Sequence, residues 1–402
     1  MGHSFDTTAA VGHCPFMPVF GAPPIMIDHG HGTEVFDSNG KRYLDFLAGI
    51  AVVSLGHANP VIADAIAAQA RRLVHVSNFF SNPIATSAAM SIDSLLTAAT
   101  GRPGQVFFTN SGAEANECAL KLARKHGGPG RYRVISALGS FHGRTLATLA
   151  ATGQPAKHVP FAPMPDGFSH VPWGDLSALE AEIDDSVAAV FLEPLQGEGG
   201  VVPAPEGYFE GVRALCDRVG ALFMVDEVQT GFGRTGRWFG FEHSGISPDV
   251  VTLAKAMGNG MPIGACWAPV EVAAAFVPGD HGSTYSGTAL ATAAVEAVIS
   301  EMRRLDAPSL AVQAGARIRT RLHGASGVSN VRGLGLLLGV ALEEGIVAGE
   351  VAAAALERGL IVNAVNASTI RLAPPLTVTD DEIDEAIVLL TDSIATVRAN
   401  AA

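Results

Sequence analysis

A small-residue turn, a strand-end carboxylate and a lysine with apolar neighbours are the parts of this 402-residue chain that point to chemistry. Thr109-Asn110-Ser111-Gly112-Ala113-Glu114 follows the apolar run Val106-Phe107-Phe108 and opens a helix, with Ala115, Cys118, Ala119, Leu122 and Ala123 recurring on one face. A helix start leaves backbone N–H groups unpaired at the positive end of the dipole, and Ser-Gly-Ala is small enough for a phosphate to reach them. Asp226 ends the apolar run Ala221-Leu222-Phe223-Met224-Val225, where a carboxylate is costly unless a cation or several donors meet it. Lys255 lies between the apolar Val250-Val251-Thr252-Leu253 and the turn Gly258-Asn259-Gly260. An amine so placed can lose its proton near neutral pH and form a Schiff base with an aldehyde. Singly, each has an ordinary alternative: a capped helix start, a hydrogen-bonded strand-end Asp, a solvated loop lysine. Together they supply a phosphate cradle, an anion for a pyridinium nitrogen and an amine for an aldehyde, the three handles of pyridoxal 5'-phosphate (PLP).

Such residues need strands that deliver them to one edge. From about residue 60 to 270, short apolar runs alternate with helical patterns, which predicts an α/β fold with a mostly parallel sheet flanked by helices. The expected strands are Val106–Phe108, Tyr132–Ile135, Ala189–Leu192, Ala221–Val225, Val250–Leu253 and Ala265–Trp267. Open α/β sheets bind ligands outside the carboxyl ends of their strands. Before them, Glu34–Phe36 and Tyr43–Phe46 flank Asp37-Ser38-Asn39-Gly40, a hairpin in which Asn-Gly is expected to supply positive φ angles. The last hundred residues mix helices with strands near Val331–Leu342, Leu360–Val362 and Ile370–Leu372, a smaller α+β unit. The expected division is 1–55, an N-terminal segment joining the small domain; 56–295, the large cofactor-binding domain; and 296–402, the C-terminal small domain.

Composition removes several function classes. Lys+Arg 26 against Asp+Glu 39 leaves a net charge of −13, the wrong sign for a surface that holds nucleic acid or anionic lipid. Cys14, Cys118, Cys216 and Cys266 form no C-x-x-C pair and suggest reduced, packed thiols. Gly231-Phe232-Gly233-Arg234-Thr235-Gly236 matches G-x-G-x-x-G, but the aromatic, glycine-punctuated residues after it do not start the helix that a dinucleotide fingerprint needs. His29 and His31 lack matching carboxylate or Cys spacing, so no metal is expected. No basic start precedes Lys41 and no apolar stretch is long enough to span a membrane, which leaves the cytoplasm as the expected compartment.

The chain resembles the class III aminotransferases of fold type I, and most closely those members that act on N2-acetylornithine. The resemblance runs through Asp37–Phe46, Asn110-Ser111-Gly112-Ala113-Glu114-Ala115-Asn116, Phe141-His142-Gly143-Arg144-Thr145, Glu193-Pro194-Leu195-Gln196-Gly197-Glu198, Asp226-Glu227-Val228-Gln229-Thr230-Gly231 and Arg371-Leu372-Ala373-Pro374-Pro375-Leu376. It implies a PLP enzyme that moves a terminal amino group to 2-oxoglutarate, as a homodimer with shared active sites. Ser111, Gly112 and Ala113 would then bind the cofactor phosphate, Phe141 pack on its ring, Asp226 pair with the ring nitrogen, Gln229 meet the phenolic oxygen and Lys255 be the Schiff-base lysine. Thr284 would complete the phosphate site of the neighbouring subunit, Arg144 and Ser283 hold the substrate, and Arg371 receive a carboxylate that Glu198 otherwise neutralises. The chain departs from the family at Ser286-Gly287-Thr288-Ala289, where Gly-Gly-Asn-Pro is usual, and at Val53, where Asn is common. Other ω-amino acid transaminases, a PLP aminomutase or decarboxylase, and a cofactor-sensing regulator remain as alternatives, the last without a visible basic DNA-binding segment.

Overall fold

The computed structural model describes residues 17–21 and 23–401, so Cys14 and the chain start lie outside the described residues. Its centre is a seven-stranded sheet in the order Gly104–Thr109, Gly264–Pro269, Val250–Leu253, Leu222–Asp226, Val187–Leu192, Arg133–Ala137, Phe168–Val171. Neighbouring strands are parallel except Gly264–Pro269, which runs antiparallel to both of its neighbours. The Val, Ile, Leu and Phe content of the central strands suits a sheet covered on both faces, and Val187–Leu192 is buried along its whole length. All six predicted runs fall in this sheet. Phe168–Val171 is the unpredicted strand, because Phe-Ser-His-Val is short and half polar and occupies an edge.

The N-terminal hairpin pairs Glu34–Asp37 with Arg42–Asp45. Its turn differs from the expectation: only Gly40 is left-handed (φ +80°), while the Asp37 carboxylate accepts from Asn39 N and Lys41 N at 2.9 Å each. An Asx turn therefore replaces the Asn-Gly pair. Arg42–Asp45 continues in parallel onto Leu360–Ile361, joining the two ends of the chain in one sheet. A second four-stranded sheet holds Val328–Leu334, Leu337–Leu342, Asn363–Asn366 and Thr369–Leu372, so the single predicted stretch 331–342 is a hairpin. The helix Ala307–Leu322 before it was not predicted.

Arg234, in the glycine-rich loop, ties these parts together. It is fully buried, and its guanidinium donates to Leu336 O (3.2 Å), Pro374 O (2.5 Å) and Ser54 Oγ (2.9 Å). Among the described residues no carboxylate faces it, and burial brings it down to about 9. Gly335 is required beside it: φ is +51°, and a Cβ there would stand 2.6 Å from Arg234 O. Cys118, Cys216 and Cys266 are buried and free. His29 stacks on Phe36, and no cluster of metal-binding side chains occurs among the described residues. No helix among them is long and apolar enough to cross a membrane.

Candidate active site

The carboxyl ends of five strands converge on one edge of the large sheet. Gly104–Thr109 leads to Ser111, Arg133–Ala137 to Phe141, Val187–Leu192 to Glu193, Leu222–Asp226 ends on Asp226, and Val250–Leu253 leads to Lys255. These ends enclose a cavity of about 610 Å³ also lined by Gly112, Ala113, Arg144, Glu198 and Gln229. Nine of the predicted site residues thus share one cavity.

Ser111 caps the helix Gly112–Gly127 by accepting from Glu114 N at 3.2 Å, and Glu114 in turn accepts from Asn110 N at 2.8 Å. The cap occupies the N–H of Glu114, while those of Gly112 and Ala113 have no acceptor among the described residues. Gly112 is needed for close packing, because a Cβ there would meet Val228 Cγ1 at 2.8 Å.

Asp226 is 5% exposed, yet its charge is well met. Oδ2 accepts from Asn116 Nδ2 at 2.9 Å and lies 2.9 Å from His142 Nδ1, and Oδ1 accepts from Val228 N at 3.0 Å. The His142 ring stacks on Phe191 with centroids 4.2 Å apart, and Asn116 also donates to His142 O at 2.6 Å. Asn116 and His142 hold the carboxylate in place, a role the sequence reading did not assign. Its only signal was the Asn on an otherwise apolar helix face. Beside Asp226, burial and that neighbouring charge push the Glu193 carboxyl well above the usual range. Buried Glu227 accepts from Thr230 Oγ1, Gly240 N and Phe241 N at 2.5, 2.9 and 2.8 Å, which fixes the loop carrying Gln229.

Lys255 has a left-handed backbone, φ +46°, a strain typical of functional positions. Burial, reinforced by the charge of Arg371, lowers its amine to about 8 against the opposing pull of Asp226, Glu198 and Glu193. An unprotonated amine is nucleophilic, and that form is favoured above this value. In the cofactor-free protein, borohydride-trapped PLP on Lys255 should therefore accumulate at a rate that rises through a midpoint near pH 8 and then levels. Surface lysines keep gaining reactivity past pH ~10. A midpoint there would mean the amine is not desolvated.

Beyond Lys255, fully buried Arg371 donates through Nη1 to Glu198 Oε1 and through Nη2 to Asn363 Oδ1, each at 2.7 Å. Burial raises the Glu198 carboxyl, but the charge and hydrogen bond of Arg371 outweigh it and hold Glu198 below its ordinary value. Asn363 is a further unpredicted residue, on a strand too polar to be read as one. Across the pocket the segment Ala48–Ala51 makes a left-handed turn, with φ of +50°, +64°, +69° and +59°, and presents Gly49 and Ile50 to the cavity.

Two predicted residues stand apart. Ser283 and Thr284 line a different cavity of about 780 Å³ with Phe79, Phe80 and His75. Next to them Gly287 is left-handed (φ +66°) and Thr288 caps the helix Ala289–Leu305, so Ser286–Ala289 is a turn and a cap. Val53 packs at the turn after Lys255, 3.5 Å from where a Cβ on Gly260 would lie.

The cavity fits PLP on its own terms. It offers a helix N-terminus for a phosphate, a buried acid for a ring nitrogen, an aromatic face at Phe141 and an amine. The amide oxygen of Gln229 is buried without a donor on its wall, and a hydroxyl on the ring could donate to it.

Comparison with known proteins gives the family and the fold. The family model described as aminotransferase class-III matches residues 18–394. The acetylornithine aminotransferase of Corynebacterium efficiens is 48% identical over 386 residues, covering 94% of this chain and 95% of that protein. Among solved structures, the N-acetylornithine aminotransferase of Stenotrophomonas maltophilia superposes with a TM-score of 0.82 at 33% identity, covering 94% of this chain and 98% of that one. The ornithine aminotransferase of Toxoplasma gondii, described with PLP at partial occupancy in its active site, gives a TM-score of 0.89 at 32% identity over 95% and 92% of the two chains.

Proposed function

The chain belongs to the class-III aminotransferase family and is a PLP-dependent transaminase, and from that premise we propose that it transfers the terminal amino group of N2-acetylornithine to 2-oxoglutarate. The products are N-acetylglutamate 5-semialdehyde and glutamate, a step of arginine biosynthesis. One observation carries the choice of donor: the buried Arg371 is neutralised by Glu198 at 2.7 Å, while the exposed Arg144 at the cavity wall has no acid partner among the described residues. A pocket whose inner cation is silenced and whose outer cation is free suits an amine whose carboxylate lies far from the reacting carbon.

When bound, the cofactor supplies an electron sink conjugated to the reacting carbon. Asp226, oriented by Asn116 and His142, keeps a proton at the ring nitrogen so that the sink stays open. Lys255 would hold the aldehyde at rest and, once freed, carry the proton from the donor carbon to the cofactor's former aldehyde carbon. Ser111, Gly112 and Ala113 anchor the phosphate, Phe141 covers the ring and Gln229 meets its phenolic oxygen. For 2-oxoglutarate, Glu198 must leave Arg371, which then binds the carboxylate beside the keto carbon.

The active unit in this reading is a cytoplasmic homodimer, with each chain divided at about residues 55 and 295. Phe79 and Phe80, 93% and 68% exposed beside Ser283 and Thr284, suit burial against a second copy, to whose phosphate site Thr284 would be delivered. A panel of amino donors scored by glutamate formation tests the substrate. N2-acetylornithine should give the highest kcat/KM. A tenfold preference for ornithine, 4-aminobutyrate or succinyl-diaminopimelate would replace it, and release of carbon dioxide without glutamate would indicate a decarboxylase.

A further inference from the structure

Two cations converge on the ring of Phe141. The guanidinium carbon of Arg144 lies 5.5 Å from the ring centroid and Lys157 Nζ lies 5.4 Å from it. Among the described residues neither side chain has an ion-pair or hydrogen-bond partner. Burial and then the charge of Arg144 hold the Lys157 ammonium below the usual lysine range, with Glu198 pulling the other way. Glu198 is already committed to Arg371. Cation–π attraction offsets part of the mutual repulsion but supplies no counter-charge.

The placement is built rather than incidental. Lys157 ends the short helical turn Pro155–Lys157, and the loop before it is fastened to the loop carrying Phe141. Gln154 Nε2 donates to Ser140 O at 2.9 Å, Gly153 N donates to Ser140 Oγ at 2.9 Å, and Gly139 N donates to Gly153 O at 2.8 Å. These hydrogen bonds tie the loop before Lys157 to the loop carrying Phe141, which brings two like charges to one ring of the cavity wall, and an anion between them is what that arrangement suits.

We propose that Lys157 and Arg144 together form a receptor for the carboxylate remote from the reacting carbon, and that Lys157 is a specificity-determining residue for both substrates. The inference deepens the proposed function and rests on it for the identity of the donor. In N2-acetylornithine the carboxylate stands one bond farther from the reacting carbon than the remote carboxylate of 2-oxoglutarate does. One cation cannot follow that difference by itself, whereas two cations on separate stems can share it between them.

The test compares holoenzyme with and without Lys157→Met and Lys157→Arg on N2-acetylornithine, on N-acetyl-1,4-diaminobutane, which is the same donor lacking its carboxylate, and on 2-oxoglutarate. Lys157→Met should raise KM for N2-acetylornithine and for 2-oxoglutarate about tenfold with kcat within about twofold, and leave the decarboxylated donor unchanged. Lys157→Arg should restore KM to within about threefold. Calorimetric Kd for glutarate, a non-reacting dicarboxylate, should weaken about tenfold in Lys157→Met. Equal KM changes for the two donors, or no change in any KM, would overturn the receptor, and an effect confined to donor or acceptor would overturn its shared role. If the donor panel selects another ω-amino acid, the 2-oxoglutarate and glutarate arms still decide the matter.

Discussion

Lys255→Ala is expected to lower turnover by more than about 10⁴-fold, since on the proposed reading it removes both the amine that holds the cofactor and the group that moves the proton. The protein should fold normally. The lost amine is desolvated and carries a lowered pKa of about 8 in a left-handed backbone, so its removal takes away a destabilised group and the thermal midpoint should stay level or rise. Glutamate formation measures the first effect, and calorimetry the second. After borohydride treatment with PLP, the peptide carrying position 255 should show the added mass in the parent and none in the variant. Near-parental turnover in Lys255→Ala would overturn the assignment of the nucleophile, whereas an unfolded variant would leave the question to Lys255→Arg, which keeps charge and bulk and should be as inactive.

Asp226→Asn should cost about 3–5 kcal/mol of transition-state stabilisation, roughly 10²- to 10⁴-fold in kcat. The carboxylate now meets Asn116 Nδ2, His142 Nδ1 and Val228 N, all within 3.0 Å. An amide in its place has one acceptor for these groups and turns its own N–H₂ toward the others, so the ring nitrogen loses its anion and the shell loses its order together. The absorbance of the bound cofactor should shift with the loss of ring protonation, a change that a purely structural lesion would not produce. An unchanged kcat would rule out this acid as the partner of the ring.

Much of the large sheet was legible because its strands are apolar runs that end on polar residues, as at Asp226 and before Lys255. The same cue fails at Phe168–Val171 and Asn363–Asn366, whose polar residues are supported by neighbours distant in sequence. Local pattern identified Asp226 but not its supports. The helix face drawn through Ala115, Cys118 and Ala119 passes over Asn116, which is 1% exposed and faces Asp226 across 110 positions of sequence. Motif resemblance supplied the names of Glu198 and Arg371. That the two are paired through one 2.7 Å hydrogen bond, with Asn363 on the other arm of the guanidinium, required coordinates. Ser283 and Thr284 line a second cavity with Phe79 and Phe80, although the motif resemblance groups them with the residues of the first.

The solitary guanidinium of Arg234 bears on how substrates enter and leave. Turning the C-terminal unit about the large sheet would have to pull Leu336 O and Pro374 O away from a cation that has no water to fall back on, and Pro374 follows Arg371 by three positions. Such a hinge is effectively riveted. On the proposed reading, exchange between the two half-reactions is left to side chains, with Glu198 the one to swing, so that crystals soaked with either substrate should show new rotamers while the contacts of Arg234 to Leu336 O and Pro374 O stay unchanged.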